Sequence, residues 1–291
     1  MRVTERRMMS LVSNGSATAR AQVAEASRKL SSGVAVERPS HDPVRWAQGM
    51  RQKTKLTMAG DYRGTVDRAR AKLDAADNGL GRIAGALTRA REIATAMATA
   101  TVDGPTRAAA EVEVQGLFAD MLAGANAEGP DGEDVLAGHA GDVAPFDATG
   151  TYVGDNGLRF VETSEGRQHA ASLPGTVLTV AEGIDVFGTV SALQAALTAN
   201  DPAAVQTAMV DITTAIEQVS MARGRAGAAS AALSSTGEAL EQFEVQLTQS
   251  IEAAVITDPI VAATELAHFS NQLETSRVVA ERIAMLMDPN R

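Results

Sequence analysis

The chain has 291 residues, 45% of them hydrophobic, yet only six Phe, two Tyr and one Trp, so any interior must be built largely from Ala and other small side chains. That composition suits helices lying close together better than a thick globular core. A formal net charge of −10 argues against a nucleic-acid groove or an anionic membrane as the main partner, and the absence of cysteine excludes disulfides, thiolate metal sites and a cysteine nucleophile.

From the N-terminus, a basic start (Arg2, Arg6, Arg7) leads into a three-four spaced row of Met9, Val12, Ser16, Ala19, Val23, Ala26 and Leu30. The first 25 residues hold neither an apolar central block nor a small-residue cleavage site, so no removable secretory signal is expected. No window approaches the roughly 18 consecutive apolar residues of a spanning helix. The stretch "SSGVAVERPSHDP", from Ser31 to Pro43, then interrupts the helical pattern. Asp42 can cap the free amides of a following helix while Pro43 supplies a suitable φ and no amide at its first position; Pro39 reinforces the break. At this level Asp42-Pro43 reads as helix punctuation.

The next helix is expected from Pro43 to about Ala100, roughly 85 Å at 1.5 Å per residue. Within it Val66, Ala69, Leu73, Ala76, Leu80, Ile83, Leu87, Ala90, Ala94 and Met97 form an unbroken a/d seam that needs a partner helix. The run from Gly79 to Ala84 has a superficial dinucleotide-loop spacing, but it follows no strand and leaves the seam intact, so it reads as accidental. Gly104-Pro105 breaks the helix; another runs to about Ala127 with Val114, Leu117, Phe118, Met121 and Leu122 on its apolar face.

From Gly129 to about Gly183 the chain is dense in Gly, Asp and Pro, with β-prone pieces "TYVG", "LRFVE" and "TVLTV", which predicts a small β-rich insert. Its acidic residues Asp131, Glu133, Asp134, Asp142, Asp147 and Asp155 lack the order of a calcium loop and read as solvated turns. Helical pattern returns at Val190–Ala199, restarts after Asp201-Pro202 and continues through Leu233, Leu240, Phe243, Leu247, Ile251 and Val255. Inside it, Gly224 and Gly227 each cost about 1 kcal/mol relative to Ala, which close helix packing would offset, and Arg223 is expected to pair with an acidic residue on a neighbouring helix or subunit. Asp258-Pro259 repeats the punctuation of Asp42-Pro43, and Leu266, Phe269, Leu273, Ser276, Ala280, Ile283 and Met287 form a second terminal seam.

The layout is nearly palindromic. It predicts a mainly α fold, a long antiparallel helical bundle or coiled coil built from both chain ends with a small β-rich insert. Three parts are expected: a terminal helical domain of residues 1–42 plus 258–291, a rod of 43–128 plus 190–257, and an insert of 129–189. Because the terminal seams hold few large apolar residues, they are expected to be mobile before assembly. His41, His139, His169 and His268 are scattered without a second ligand at metal spacing, and no nucleophile, base and orienting group stand together. The expectation is a non-enzymatic chain with no cofactor and no metal. A signalling coiled coil is disfavoured by the insert and the lack of a membrane segment.

Several stretches carry a resemblance to the flagellin-like axial proteins of the bacterial flagellum. "MRVTERRMM" resembles their N-terminal start, "LSSGVAVERPSHDP" the Pro-Ser-Asp-Asp-Pro segment of the hook-associated junction type, and "VLAGHAGDVAPFDATGTYVGDNG" the start of its β domain. "VFGTVSALQAALTANDPAAV" with "ARGRAGAASAAL" resembles its returning helices; together these cover nearly the whole chain. His41 departs from the expected first Asp, and "MLMDPNR" from the Leu-rich end. The resemblance implies a helical domain made from both chain ends, a helical rod and an exposed β domain. It also implies unfolded export through the flagellar type III channel, an extracellular place at the hook-filament junction, and assembly with copies of itself in a ring. The partners implied are the first hook-associated protein, flagellin or the filament cap, and an export chaperone at the C-terminal region; a short filament flagellin is the alternative. On this reading Met9, Val12, Val23, Leu30, Phe269, Leu273, Ile283 and Met287 are inner-tube assembly contacts, with Pro39, Asp42, Pro43, Asp258 and Pro259 as the joint.

Overall fold

A computed structural model describes residues 2–286. Its six helices are α1 (Arg2–Ser32), α2 (Pro43–Met97), α3 (Gly104–Ala125), α4 (Val186–Thr198), α5 (Pro202–Val255) and α6 (Pro259–Leu286). Between α3 and α4 lie β1 (Phe160–Ser164), β2 (Arg167–Ala170) and a short 3-10 turn at Gly175–Leu178. The chain is mainly α with a small antiparallel β element, as its sequence predicts. Aspartates start the helices repeatedly: Asp103 accepts from the Thr106 amide, Asp185 from Gly188, and Asp201 from Ala203 and Ala204. Each satisfies amides that no preceding helical carbonyl can reach.

The chain divides into two compact units, Ala59–Gln242 and Met1–Met58 with Phe243–Arg291. In the first, the α2 seam is buried from Val66 to Ala94, with Val66, Leu73, Leu80, Ile83 and Leu87 1% exposed or less, and its last member, Met97, is half-buried. Its partner on α5 is a second seam at the same spacing, Val205, Ala208, Ile212, Ala215, Val219, Ala222, Ala226 and Leu233, also buried. Val114 and Met121 of α3 and Val190, Leu193 and Leu197 of α4 complete this core. Where α2 meets α3, a Cβ on Gly79 would collide with the Gly124 carbonyl oxygen, and one on Gly124 would stand 2.8 Å from that of Gly79. The glycines of the superficial nucleotide-like run therefore include one that a helix contact requires.

At the loop that joins α2 to α3, Arg107 is 2% exposed and donates to the Met97 and Thr99 carbonyls and to Asn200 Oδ1. One guanidinium thus takes up carbonyls at the end of α2 and fixes the turn between α4 and α5, where Asn200 has a φ of +55°.

The insert holds less β structure than its composition predicts. "LRFVE" supplies β1, which pairs with β2 through Phe160–Ala170, Val161–His169 and Glu162–Gln168. "TYVG" makes only an isolated bridge, Phe146 to Tyr152. "TVLTV" is not a strand: it forms the 3-10 turn, where Val177 and Leu178 are both buried rather than alternating between faces. The remainder is held by side chains acting as backbone partners. Asn126 bonds both the N–H and the C=O of Phe146 at 2.9 and 2.8 Å. Gln218, 5% exposed on α5, accepts from the Ile184 amide and donates to the carbonyls of Val177, Thr179 and Ile184. Phe146 and Phe187, with ring centres 5.0 Å apart, join Tyr152 and Phe118 in an aromatic group that seats the insert on the helices.

In the second unit α1 packs along α6. Ala19, Ala26, Val36, Leu247, Ala254 and Ala262 are buried there, and Gly49 lets α2 approach the Val255 side chain. Small residues fill this interior, so it removes little apolar surface from water.

Candidate assembly interface

The two breaks in the helical pattern hydrogen-bond to each other. Gly33, at φ +70°, ends α1, a conformation glycine adopts without steric cost, and its amide reaches back to the Lys29 carbonyl. The chain then runs extended, so that Ala35 N–H donates to Val255 O at 2.7 Å and Thr257 N–H to Gly33 O at 3.0 Å. Val34 and Ile256 form an antiparallel bridge between these two bonds. Beside it Arg28 contacts Glu25 at 2.5 Å, Glu37 at 2.8 Å and His41 Nε2 at 3.4 Å, and Lys29 stands 3.6 Å from Glu265 of α6. His41, where the resembled family has Asp, therefore contacts the arginine of α1 and takes no part in capping.

Capping rests on Asp42, whose Oδ1 accepts from the Val44 and Arg45 amides at 3.0 Å, with Pro43 as the first residue of α2. Asp258 does the same for α6, accepting from Ile260 at 2.8 Å, and Pro259 is that helix's first residue. Pro39 is exposed in the intervening turn.

Along α1, Ala19 and Ala26 are buried, Val23 is half-buried and Leu30 is 38% exposed. Met9 and Val12 lie on the α1 backbone, and their side chains are outside the described set. Along α6, Phe269, Leu273 and Ile283 are all half-buried, as are Leu266, Ser276 and Ala280; Met287 lies outside the described residues. The seam thus faces α1 and still leaves part of each side chain in water. Large apolar groups around it are open: Ile260 at 76%, Val261 at 52% and Met285 at 66% exposure. A groove of about 440 Å³ between α1 and α6 is lined by Gln22, Ala26, Lys29, Glu265 and Phe269.

The other positions singled out by sequence lie in the unit Ala59–Gln242. Arg223 pairs bidentately with Asp77 of α2, Nε to Oδ1 at 2.8 Å and Nη2 to Oδ2 at 3.0 Å, which raises its pKa above the usual arginine value. The close packing expected of Gly224 and Gly227 is not there. A Cβ on either would meet nothing within 4 Å, because the buried seam of α5 runs through Ala222 and Ala226 and leaves both glycines outside it. The close approach between helices is Gly79 on Gly124.

The acidic residues of the insert serve as partners to cations and amides. Lys72 lies 2.7 Å from Asp131 and 2.6 Å from Glu133, and Arg159 also pairs with Glu133. Lys72 is the main cause holding both carboxyls below their usual range, helped at Glu133 by Arg159. Asp155 accepts from the His139 and Gly157 amides, and these bonds lower its pKa; Asp147 is lowered first by the Thr149 hydroxyl and then by the Thr151 amide. No group of three or more His, Asp or Glu suited to a metal occurs among the described residues, and none of the described helices is long and apolar enough to cross a membrane. Sequence reasoning missed Arg107, Asn126, Gln218 and Lys72, because an isolated polar residue on a helix, or just past its end as at Asn126, carries no signal of what it will reach.

Residues 6–140 match the bacterial flagellin N-terminal helical region. Over 155 residues the chain is 25% identical to flagellar hook-associated protein 3 of Salmonella typhimurium, covering 53% of this chain and 49% of that protein. It thus spans about half the length of the curated relative it matches. In fold, it is similar to a Vibrio parahaemolyticus chain assigned to the flagellar hook-associated proteins, with TM-score 0.68 and 18% identity over 74% of this chain and all of the other. Bacillus cereus FlgL matches at TM-score 0.61 and 17% identity, covering 69% of this chain and 98% of its own. The flagellar junction protein FlgL of Legionella pneumophila matches at 0.56 and 15%, covering 72% of this chain and 100% of its own. At these identities the structural likeness establishes the fold.

Proposed function

From a flagellin-like chain that resembles hook-associated protein 3 in sequence and shares the fold of the FlgL proteins, we infer that this protein is a non-enzymatic structural subunit of the bacterial flagellum. It serves as an adaptor of the junction type, joining hook to filament in the extracellular axial structure. The observation that carries the reading is the pairing of the two chain ends. Helices α1 and α6 lie together and their breaks are hydrogen-bonded, yet the seam between them covers only part of Phe269, Leu273 and Ile283. Side chains left half-covered in one subunit gain cover from neighbours in a ring, which offsets the entropy of ordering the ends.

On this reading residues 1–42 with 258–291 form the inner-tube part, mobile before assembly, 43–128 with 190–257 the rod, and 129–189 the outer insert. Met9, Val12, Val23, Leu30, Phe269, Leu273, Ile283 and Met287 make the inner contacts. The capped breaks at Pro39, Asp42, Pro43, Asp258 and Pro259 separate the part ordered on assembly from the part folded beforehand. Export proceeds unfolded through the type III channel, a chaperone holding the C-terminal region. In the axial structure the neighbours are further copies of the chain, the first hook-associated protein, and flagellin or the filament cap. A deletion strain is expected to build hooks and shed unassembled flagellin into the medium; normal filaments in that strain overturn the reading.

A short filament flagellin is the second reading, favoured by the match of residues 6–140 to the flagellin N-terminal region. Immunogold labelling decides between them, since a junction subunit marks the filament base and a flagellin its whole length.

A further inference from the structure

Three Asn-Gly pairs occur in the sequence: Asn14-Gly15, Asn78-Gly79 and Asn156-Gly157. This dipeptide is chemically labile, because the glycine amide nitrogen, unshielded by a Cβ, can attack the asparagine side-chain carbonyl. The first two pairs lie inside α1 and α2, where helical dihedrals fix the backbone and the glycine amide is engaged in the helix ladder. Gly79 is further confined against the Gly124 carbonyl.

Asn156-Gly157 differs on each count. It lies outside any helix or strand in the insert, and Asn156 is exposed. The Gly157 amide is in no ladder; it donates to Asp155 Oδ1 at 2.7 Å. The neighbouring carboxylate is therefore placed to take the amide proton as the nitrogen becomes nucleophilic. A Cβ on Gly157 would meet the His139 ring and the Asp155 carboxylate, so a larger residue here would have to displace both side chains.

We propose that Asn156 is a site of self-catalysed deamidation, selective over the two helical Asn-Gly pairs, with Asp155 accepting the proton. The Gly157 nitrogen forms a bond to the Asn156 side-chain carbonyl carbon, Asp155 passes the proton it has taken to the side-chain amide nitrogen, the carbon–nitrogen bond of that amide breaks, and ammonia leaves. One water then opens the resulting five-membered imide at either carbonyl to give aspartate or isoaspartate, with no oxidant or reductant. The product puts a second carboxylate beside Asp155. In the isoaspartate form it also lengthens the main chain between Asp155 and Gly157, the span that Asp155 Oδ1 holds through the His139 and Gly157 amides and the Tyr152 hydroxyl through the Asp155 carbonyl. The insert loop around His139 and Tyr152 then opens.

The full-length chain, incubated in ¹⁸O-water at mildly alkaline pH and mapped by peptide mass spectrometry, should carry label at residue 156 and little at 14 or 78. Equal labelling at 78 and 156, or none at 156, overturns the proposal. In Asp155→Asn the side-chain oxygen still accepts both amides and cannot take the proton, so labelling at 156 should slow severalfold; an unchanged or faster rate overturns it as well. Asn156→Gln should remove the label.

Discussion

Glycine shows most directly how a single residue's cost depends on what surrounds it. Gly79 and Gly224 both sit within long helices, where glycine is about 1 kcal/mol less favourable than alanine. At Gly224 an added methyl meets nothing within 4 Å, so Gly224→Ala should stabilise the protein by about 0.5–1 kcal/mol, chiefly by restricting the unfolded chain. At Gly79 the same methyl meets the backbone of α3, which cannot move as a flexible side chain can. Gly79→Ala should therefore destabilise by about 1–3 kcal/mol, the usual cost of forcing atoms into a packed contact. Thermal denaturation followed by circular dichroism checks both, and the opposite signs are the test, since propensity alone gives the same sign at both positions. Arg107 makes the corresponding point for polar groups. Its charge is buried, and the two carbonyls and one amide oxygen that accept from it are what make that burial tolerable.

At the scale of elements, two connections join segments far apart in sequence, and each can be tested alone. The insert is tied to α2 by Lys72 with Asp131 and Glu133, carboxyls whose pKa values are depressed in the folded chain. A depressed carboxyl contributes stability above its unfolded pKa and loses it as the pH falls through the folded value. Asp134 in the same loop works in the opposite sense, because burial, and then Glu128, raise its pKa, so acid relieves it. With two depressed carboxyls against one raised, acidification should loosen the loop from Gly129 to Gly141 while the helices persist. Amide chemical shifts of Gly129, Gly132 and Gly141 followed across the carboxylate range should report this, and Lys72→Met should largely abolish the transition. The second connection is the bridge of Val34 to Ile256. The flanking bonds from Ala35 to Val255 and from Thr257 to Gly33 make it the close, non-hydrogen-bonded type, in which Cα atoms approach within about 4.5 Å. Val34→Cys with Ile256→Cys should accordingly cross-link under mild oxidant, giving a faster-migrating band on non-reducing gels; a chain that stays linear shows that the breaks do not pair. These connections also mark the limit of sequence reading. The α2 seam was legible because Leu and Ile recur at helical spacing, whereas its α5 partner was obscured by alanine at half of its positions. The insert was legible in place and not in form. Its shape rests on Asn126, Gln218 and Lys72 reaching distant backbone or charge, and on Val177 and Leu178 both turning inward, which a strand-like run of apolar residues does not foretell.

Over the whole molecule, large exposed apolar side chains stand beside an interior rich in alanine, and that balance separates folding from assembly. The unit Ala59–Gln242 buries Leu73, Leu80, Ile83 and Leu87 on α2 and Phe187, Leu193 and Leu197 on α4, each worth about 1.5–3 kcal/mol relative to exposure. The terminal unit buries mainly alanines and leaves Phe269, Leu273 and Ile283 partly in water. Ordering each residue costs about 1–2 kcal/mol of backbone entropy, so the balance is far less favourable in the terminal unit. The outcome of truncation should differ accordingly. Phe269→Ala with Leu273→Ala removes apolar surface that the single subunit covers only in part, so the main melting transition should move little, whereas incorporation into flagella should fall sharply. Leu80→Ala removes a side chain with no exposure at all, should cost about 2–5 kcal/mol, and should lower the melting temperature. Expressing both variants in a deletion strain, with thermal melts of the purified chains and counts of filament-bearing cells, distinguishes the two effects. A double variant at Phe269 and Leu273 that still supports normal filament numbers would mean that assembly draws on some other surface, and the half-covered seam would then be no more than a loosely packed helix pair.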